Sequence, residues 1–95
     1  MLHVQDCPGL TLTHERLRAA LDAVGAGDVE VDHVLVSSPE QAAALRFRGS
    51  PTVLVDGVDP FAADAGPVGL TCRLYRTDAG LAGAPTLDQL VSALG

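Results

Sequence analysis

The hydrophobic period of the sequence changes from that of a strand to that of a helix and back again, and this change most constrains the fold. Residues 2–5 alternate between apolar and polar, as in a short strand. After a break at 6–9, apolar residues recur at helical spacing until Gly25. Residues 29–36 then carry valines typical of a second strand. This order predicts a βαβ unit with two parallel strands and a right-handed crossover.

The remainder of the chain predicts two further strands and two further helices. Residues 38–41 and 86–89 each combine a capping Ser or Thr with a Gln three positions later, which is typical of a helix start. Residues 52–55 and 70–75 are predicted to be strands, the second antiparallel to the first, with an irregular loop at 58–69. The sequence therefore predicts one α/β domain over residues 1–95, with a mixed four-stranded sheet and about three helices.

Composition argues against several classes of partner. The formal net charge is −6, which would repel a phosphate backbone, and three aromatic side chains leave little material for stacking bases. No apolar run approaches the roughly 18 residues of a membrane span, and the N-terminus lacks the pattern of a secretory signal. We therefore expect a cytoplasmic protein that binds neither nucleic acid nor membrane.

Cys7 is the best candidate for chemistry, because it lies between the first predicted strand and the first predicted helix. The free N–H groups and the dipole at a helix N-terminus stabilise a thiolate, which is the nucleophile and the ligand for soft metals. The alternative is that Cys7 is a small buried hydrophobic residue. Residues 48–52 open the third predicted strand and include Ser50-Pro51, for which we predict a cis peptide bond.

The order of elements, Cys7-Pro8 and the Ser50-Pro51 segment together resemble the thioredoxin fold, a three-layer sandwich in which a cis-proline faces the reactive thiol. More closely, the chain resembles small bacterial thioredoxin-like proteins that are sometimes labelled alkylmercury lyases. The residues that carry this closer resemblance are Cys7-Pro8, 46–52, Asp56-Gly57, 72–76 and 80–83.

This sequence departs from the thioredoxin pattern at Leu10, which replaces the second cysteine of the Cys-x-x-Cys motif. Exchange within the motif is therefore impossible, and the resemblance implies a monothiol site at Cys7. Such a site would form a mixed disulfide with a small thiol or a protein thiol, to be resolved by another thiol, or would bind a soft metal through its thiolate. We expect Pro8, Arg48, Ser50 and Pro51 to contact that substrate, with an arginine available for a carboxylate. The alternative is that the arginines of this segment are solvated surface residues that do not contact a substrate.

Cys72 and Asp6 offer a second function, as an alternative to the monothiol site. Cys72 shares a predicted strand face with Leu70 and Leu74, which indicates a core residue. If Cys72 instead approaches Cys7, the two sulfurs could hold mercury, and Asp6 could protonate the leaving carbon, as in an organomercurial lyase. Asp6 is otherwise a capping or solvated residue. A third alternative is a binding or dimerising domain without catalysis.

We predict no metal site and no cofactor. His3, His14 and His33 are scattered and do not have the paired spacing of zinc ligands. The sequence contains no glycine motif that would cradle a phosphate.

Overall fold

The structure is a computed structural model that describes residues 1–62 and 68–94. Within these residues the chain forms three helices and four short strands. In chain order they are β1 (Leu2–His3), α1 (Leu10–Ala23), β2 (Val34–Leu35), α2 (Pro39–Leu45), β3 (Tyr75–Thr77), β4 (Gly80–Ala82) and α3 (Leu87–Leu94). The loop predicted for 58–69 includes residues 63–67, which lie outside the described residues.

The predicted βαβ unit is confirmed as a parallel pair of strands, β1 and β2, with α1 between them in the chain. Leu2 pairs with Val34, and His3 pairs with Leu35. As predicted, α1 ends before Gly25, which adopts a φ of 78° and donates its N–H to the Asp22 carbonyl. The second strand is shorter than predicted, because residues 29–33 do not join the ladder.

Both predicted helix caps are confirmed. The Ser38 hydroxyl accepts a hydrogen bond from the Gln41 N–H (3.1 Å) at the start of α2. At the start of α3, Thr86 and Gln89 exchange two hydrogen bonds, of 2.8 and 3.1 Å. Each cap depends only on residues that are three apart in the chain, so the sequence alone is sufficient to predict it.

The predicted mixed four-stranded sheet of a thioredoxin-like sandwich is wrong, because the structure contains two separate two-stranded sheets. Thr52 makes a single antiparallel bridge to Leu2, with N–O distances of 2.8 Å in both directions. Val55 then folds back onto Val58 around the turn at Asp56-Gly57. Both backbone groups of Val55 are bonded to Val58 in this turn, so the segment ends in a tight reversal after its single bridge to β1.

The fourth predicted strand is also displaced. The strand lies at β3 and pairs antiparallel with β4, its neighbour in a hairpin, rather than with residues 52–55. Before β3, the chain forms a parallel bridge between Ser50 and Cys72, in the direction opposite to the one predicted. The Ser50 N–H and carbonyl bond to the Thr71 carbonyl (2.8 Å) and the Arg73 N–H (2.9 Å), which fixes this arrangement.

Among the described residues the buried core forms two small clusters, and Met1, just before β1, and Leu2, its first residue, belong to different ones. Met1 belongs to the cluster that includes Leu17 of α1 and Leu90 of α3. Leu2 belongs to the cluster that includes Ala42 of α2 and Phe47. None of the helices in the described ranges is long and apolar enough to cross a membrane.

Candidate functional site

Cys7 occupies the connection between β1 and α1, as predicted. Its carbonyl accepts a hydrogen bond from the Leu10 N–H (3.2 Å), and Gly9 stands at the N-cap position. Asp6 precedes it with a positive φ of 57° and is exposed, so it does not cap the helix. The thiol of Cys7 is free and half-buried. A half-buried thiol at this position is accessible to a reagent, and it precedes the first turn of α1 by three residues.

Pro51 lies against the start of α1. The Ser50–Pro51 peptide bond is cis, which confirms the prediction, and the Pro51 side chain is fully buried. A Cβ atom added to Gly9 would overlap the carbonyl oxygen of Gly83 and would lie 3.4 Å from the Pro51 Cδ. Gly9 therefore permits three chain segments to meet two residues after Cys7, because no other residue leaves space for the Gly83 carbonyl.

Tyr75 joins this site from β3, and nothing in the hydrophobic pattern indicates it. Its ring is buried, and its hydroxyl donates to the Pro51 carbonyl. Burial raises the pKa of the Tyr75 hydroxyl well above its usual range, Arg73 opposes this shift, and Asp59 and Cys7 add to it.

The guanidinium of Arg73, which forms an ion pair with Asp59, lies against the ring of Tyr75. Arg73 is only 4% exposed, and its Nη1 lies 2.7 Å from Oδ2 of Asp59. Its Nη2 also donates to the Phe61 carbonyl (2.8 Å), and its guanidinium carbon lies 4.7 Å from the centroid of the Tyr75 ring. A buried charge of this kind is tolerated because both Nη atoms of Arg73 have hydrogen-bond partners, one of them a carboxylate.

The positions of Arg73 and Tyr75 correct the predicted strand face. The sequence predicts that alternate apolar residues of this segment face the core, and that prediction is wrong. The exposed side chains are Leu70 (40%), Cys72 and Leu74 (57%), whereas Arg73 and Tyr75 are buried. The offset is one residue, which exchanges the two faces of an extended segment.

Three of the other predicted site residues lie around Pro51 in different environments. Ser50 is buried, and its hydroxyl accepts a hydrogen bond from the Val4 N–H (3.0 Å), so it ties the end of β1 to this segment. Arg48 is half-buried. Cys72 is a free, exposed cysteine that lies opposite Ser50 in the backbone bridge. Their predicted roles stay predictions.

A groove of about 280 Å³ runs along the start of α1. Pro8 and Gly9 line it from the Cys7 loop, and Leu12 and Arg16 line it from α1; the opposite wall is residues 82–84. Arg16 is anchored by a hydrogen bond from its Nη1 to the Pro85 carbonyl (2.8 Å). The groove therefore combines apolar walls with one fixed cationic group beside the loop of Cys7.

The three histidines, which the sequence predicts to be scattered, lie close together. His33 Nε2 and His14 Nδ1 lie 3.0 Å apart, and the ring of His3 lies 6.0 Å from that of His33. Their separation along the chain gives no signal of this contact, since the pairing of β1 with β2 and the packing of α1 produce it. In residues 1–62 and 68–94, no group of three or more His, Cys, Asp or Glu side chains is arranged to hold a metal ion.

Comparison with protein-family models, with curated proteins and with solved structures finds no match to this chain. The resemblance to thioredoxin-like proteins thus stays a prediction, and the arguments about function rest on the site itself.

Proposed function

We propose that Cys7 is the nucleophile of a monothiol site that exchanges with disulfides of small thiols or protein thiols. The observation that carries this proposal is the placement of a free, half-buried cysteine just before α1, two residues before Gly9, which packs against Pro51. Donors at a helix N-terminus stabilise a thiolate, and a free thiolate is required for attack on a disulfide.

The exchange requires two balanced steps. The Cys7 thiolate attacks one sulfur of a disulfide RSSR′, a Cys7–SR bond forms, and R′S⁻ departs and takes a proton from water. A second thiol then attacks the Cys7–SR bond and regenerates the Cys7 thiolate. The net result is exchange: R′SH is released, the second thiol R″SH loses its proton and becomes part of a new disulfide RSSR″, and the number of disulfides is unchanged.

The surroundings of Cys7 support a substrate of modest size. Pro51 and Tyr75 are held by a hydrogen bond between them, so they form a fixed wall rather than a mobile one. The groove of Pro8, Gly9, Leu12 and Arg16 offers space for the group attached to the substrate sulfur. A guanidinium in such a groove favours a substrate with a carboxylate.

The test measures the rate at which dithiobis(nitrobenzoate), a disulfide with carboxylates, modifies the native protein, with the site of modification assigned by mass spectrometry. We expect Cys7 to react about tenfold faster in the native protein than in the urea-unfolded chain. Cys7→Ser should remove this fast reaction, and Cys72→Ser should leave it unchanged. A native Cys7 that reacts no faster than the unfolded thiol would contradict the proposal and would favour a binding domain without catalysis.

The same variants test the organomercurial alternative, for which the position of Cys72 opposite Ser50 is the supporting observation. In that reaction two thiolates bind the mercury of R–Hg⁺, the carbon–mercury bond breaks with its electron pair on carbon, and Asp6 supplies the proton that gives R–H. Methane release from methylmercury that disappears in Cys7→Ser, Cys72→Ser and Asp6→Asn would favour the lyase. Release at the background rate would eliminate it.

A further inference from the structure

A second cavity lies towards the other end of α1, away from Cys7. Its volume is about 360 Å³, which is in the range of small-molecule sites of roughly 300–1,000 Å³. Core residues form its floor: Met1, Leu17, Leu21 and Val53 all line it and are buried. A ligand in this cavity would therefore contact the main apolar cluster directly.

The outer wall of the cavity is the segment 26–33, which the sequence predicts in part as a strand. This segment does not pair with β1 as a strand; it is attached to α1 along its length and to Met1 at Asp32. Arg18 donates to the Val29 carbonyl, and His14 and His33 share a hydrogen bond of 3.0 Å. Because these contacts hold the segment beside the helix, the space between it and the core stays open.

The charges around the cavity are mainly negative. Glu30, Asp32 and Asp56 line it, and none of the six arginines of the chain does. The amino group of Met1 is the one cation in the lining, and it donates to the Asp32 carbonyl. Burial lowers the pKa of this amino group, and Asp32 opposes that shift. Three carboxylates against one amino group leave the lining net negative.

We propose that this cavity binds a small amphiphile with an aliphatic body and a cationic ammonium head. The aliphatic body is matched by Leu17, Leu21 and Val53, and the ammonium is matched by Glu30 and Asp56. None of the chain's three aromatic side chains lines the cavity, so an aromatic ligand would gain no ring contact. An anionic head would meet like charge.

The probes are alkyltrimethylammonium ions from butyl to octyl, with octanol as the neutral probe and octyl sulfate as the anionic one, each below its micelle concentration. Binding is measured by calorimetry and by amide chemical shifts. We expect each added methylene to tighten the Kd by about fourfold until the cavity is filled. The octyl ammonium should bind at least about tenfold more tightly than octyl sulfate. Equal affinities, or no saturable binding of the ammonium, would overturn the proposal.

Two charge variants test the head group without altering the cavity. Asp56 has a φ of 52°, a conformation that Asn also adopts readily, so Asp56→Asn preserves the turn. The double variant Glu30→Gln/Asp56→Asn should weaken ammonium binding by about fivefold and leave octanol binding unchanged. Glu40→Gln on α2 is the matched control, since Glu40 does not line the cavity. An equal loss in the control, or an equal loss for octanol, would contradict the assignment of the head group.

A third variant tests the apolar part. Ala26 is half-buried and lines the cavity, so Ala26→Leu should fill part of it and weaken both the ammonium and octanol. Unchanged binding of both probes in a folded Ala26→Leu protein would place them elsewhere. If this variant fails to fold, the charge variants still decide the proposal.

Discussion

The two ends of α1 are held by different kinds of contact. At its start, buried polar groups join separate segments of the chain: Tyr75 donates to the Pro51 carbonyl, and Arg73 pairs with Asp59. Towards its end, the segment 26–33 is attached by the exposed contacts of Arg18 and by a histidine pair.

This difference indicates which parts of the molecule are held rigidly. A buried, fully paired polar group has one favourable arrangement, because leaving it unpaired in a medium of low dielectric constant is costly. An exposed contact can be exchanged for water at little cost. The surroundings of Cys7 are therefore held by contacts that are costly to break, whereas the side-chain contacts of the segment 26–33 are less costly to exchange for water.

The largest loss of stability is expected when the charge of Arg73 is removed. Arg73→Met preserves most of the side-chain volume but leaves the Asp59 carboxylate buried without its partner. We expect the free energy of unfolding in urea to fall by about 3–5 kcal/mol. The matched control is Arg76→Met at an exposed position of β3, which should change stability by less than about 0.5 kcal/mol.

A double variant distinguishes the effect of losing the ion pair from the effect of losing side-chain packing. In Arg73→Met/Asp59→Asn no charge is left buried, so part of the stability should return. An Arg73→Met protein as stable as Arg76→Met would show that the Arg73–Asp59 pair contributes nothing to the stability of the fold.

The second prediction concerns the close approach of the chain at Gly9. Gly9→Ala places a Cβ atom against the Gly83 carbonyl oxygen, and a backbone atom cannot move aside alone. We expect a loss of about 1–3 kcal/mol of unfolding free energy, together with a changed rate of Cys7 modification. Gly83→Ala is the control, because a Cβ atom at that position meets nothing within 4 Å. Equal stability of the two variants would mean that the segments are not packed as tightly as described.

The parts of this fold that the sequence predicts are those that depend on neighbouring residues. The caps at Ser38 and Thr86, the end of α1 near Gly25 and the cis bond before Pro51 are all confirmed. The pairing of the third and fourth strands is wrong, because it depends on contacts between distant segments. The pattern at residues 52–55 is equally compatible with a ladder and with the observed turn onto Val58.

The candidate site shows the same division. Cys7 and Pro51 can be found from the sequence because each belongs to a recognisable local motif. Arg73 and Tyr75 cannot, since hydropathy places Arg73 in solvent and the apolar residues beside it in the core. Only the partners Asp59 and Pro51, distant in the chain, make the opposite face the buried one.

The smallest effect on stability is expected from the hydrogen-bonded pair of His14 and His33. Burial lowers the pKa of His33, and the positive charges of His14, the N-terminal amino group and His3 lower it further, while Asp32 raises it. The folded protein therefore binds a proton at His33 less readily than the unfolded chain, whose value is 6.5. The stability associated with His33 is complete above that value and declines as the pH falls through it.

We therefore expect the Tm to fall between about pH 7.5 and about pH 5.5, a window in which carboxylates remain ionised. The shift should be small, because His33 is exposed and the charges are screened by solvent. In His33→Gln the fall should be reduced, since the group that resists protonation is absent. An unchanged pH dependence in this variant, or a rise in wild-type stability on acidification, would mean that the histidine pair does not hold the segment 26–33 to α1. In that case the contacts of Arg18 and the backbone bonds at Ala26 and Asp32 would have to hold the segment in place.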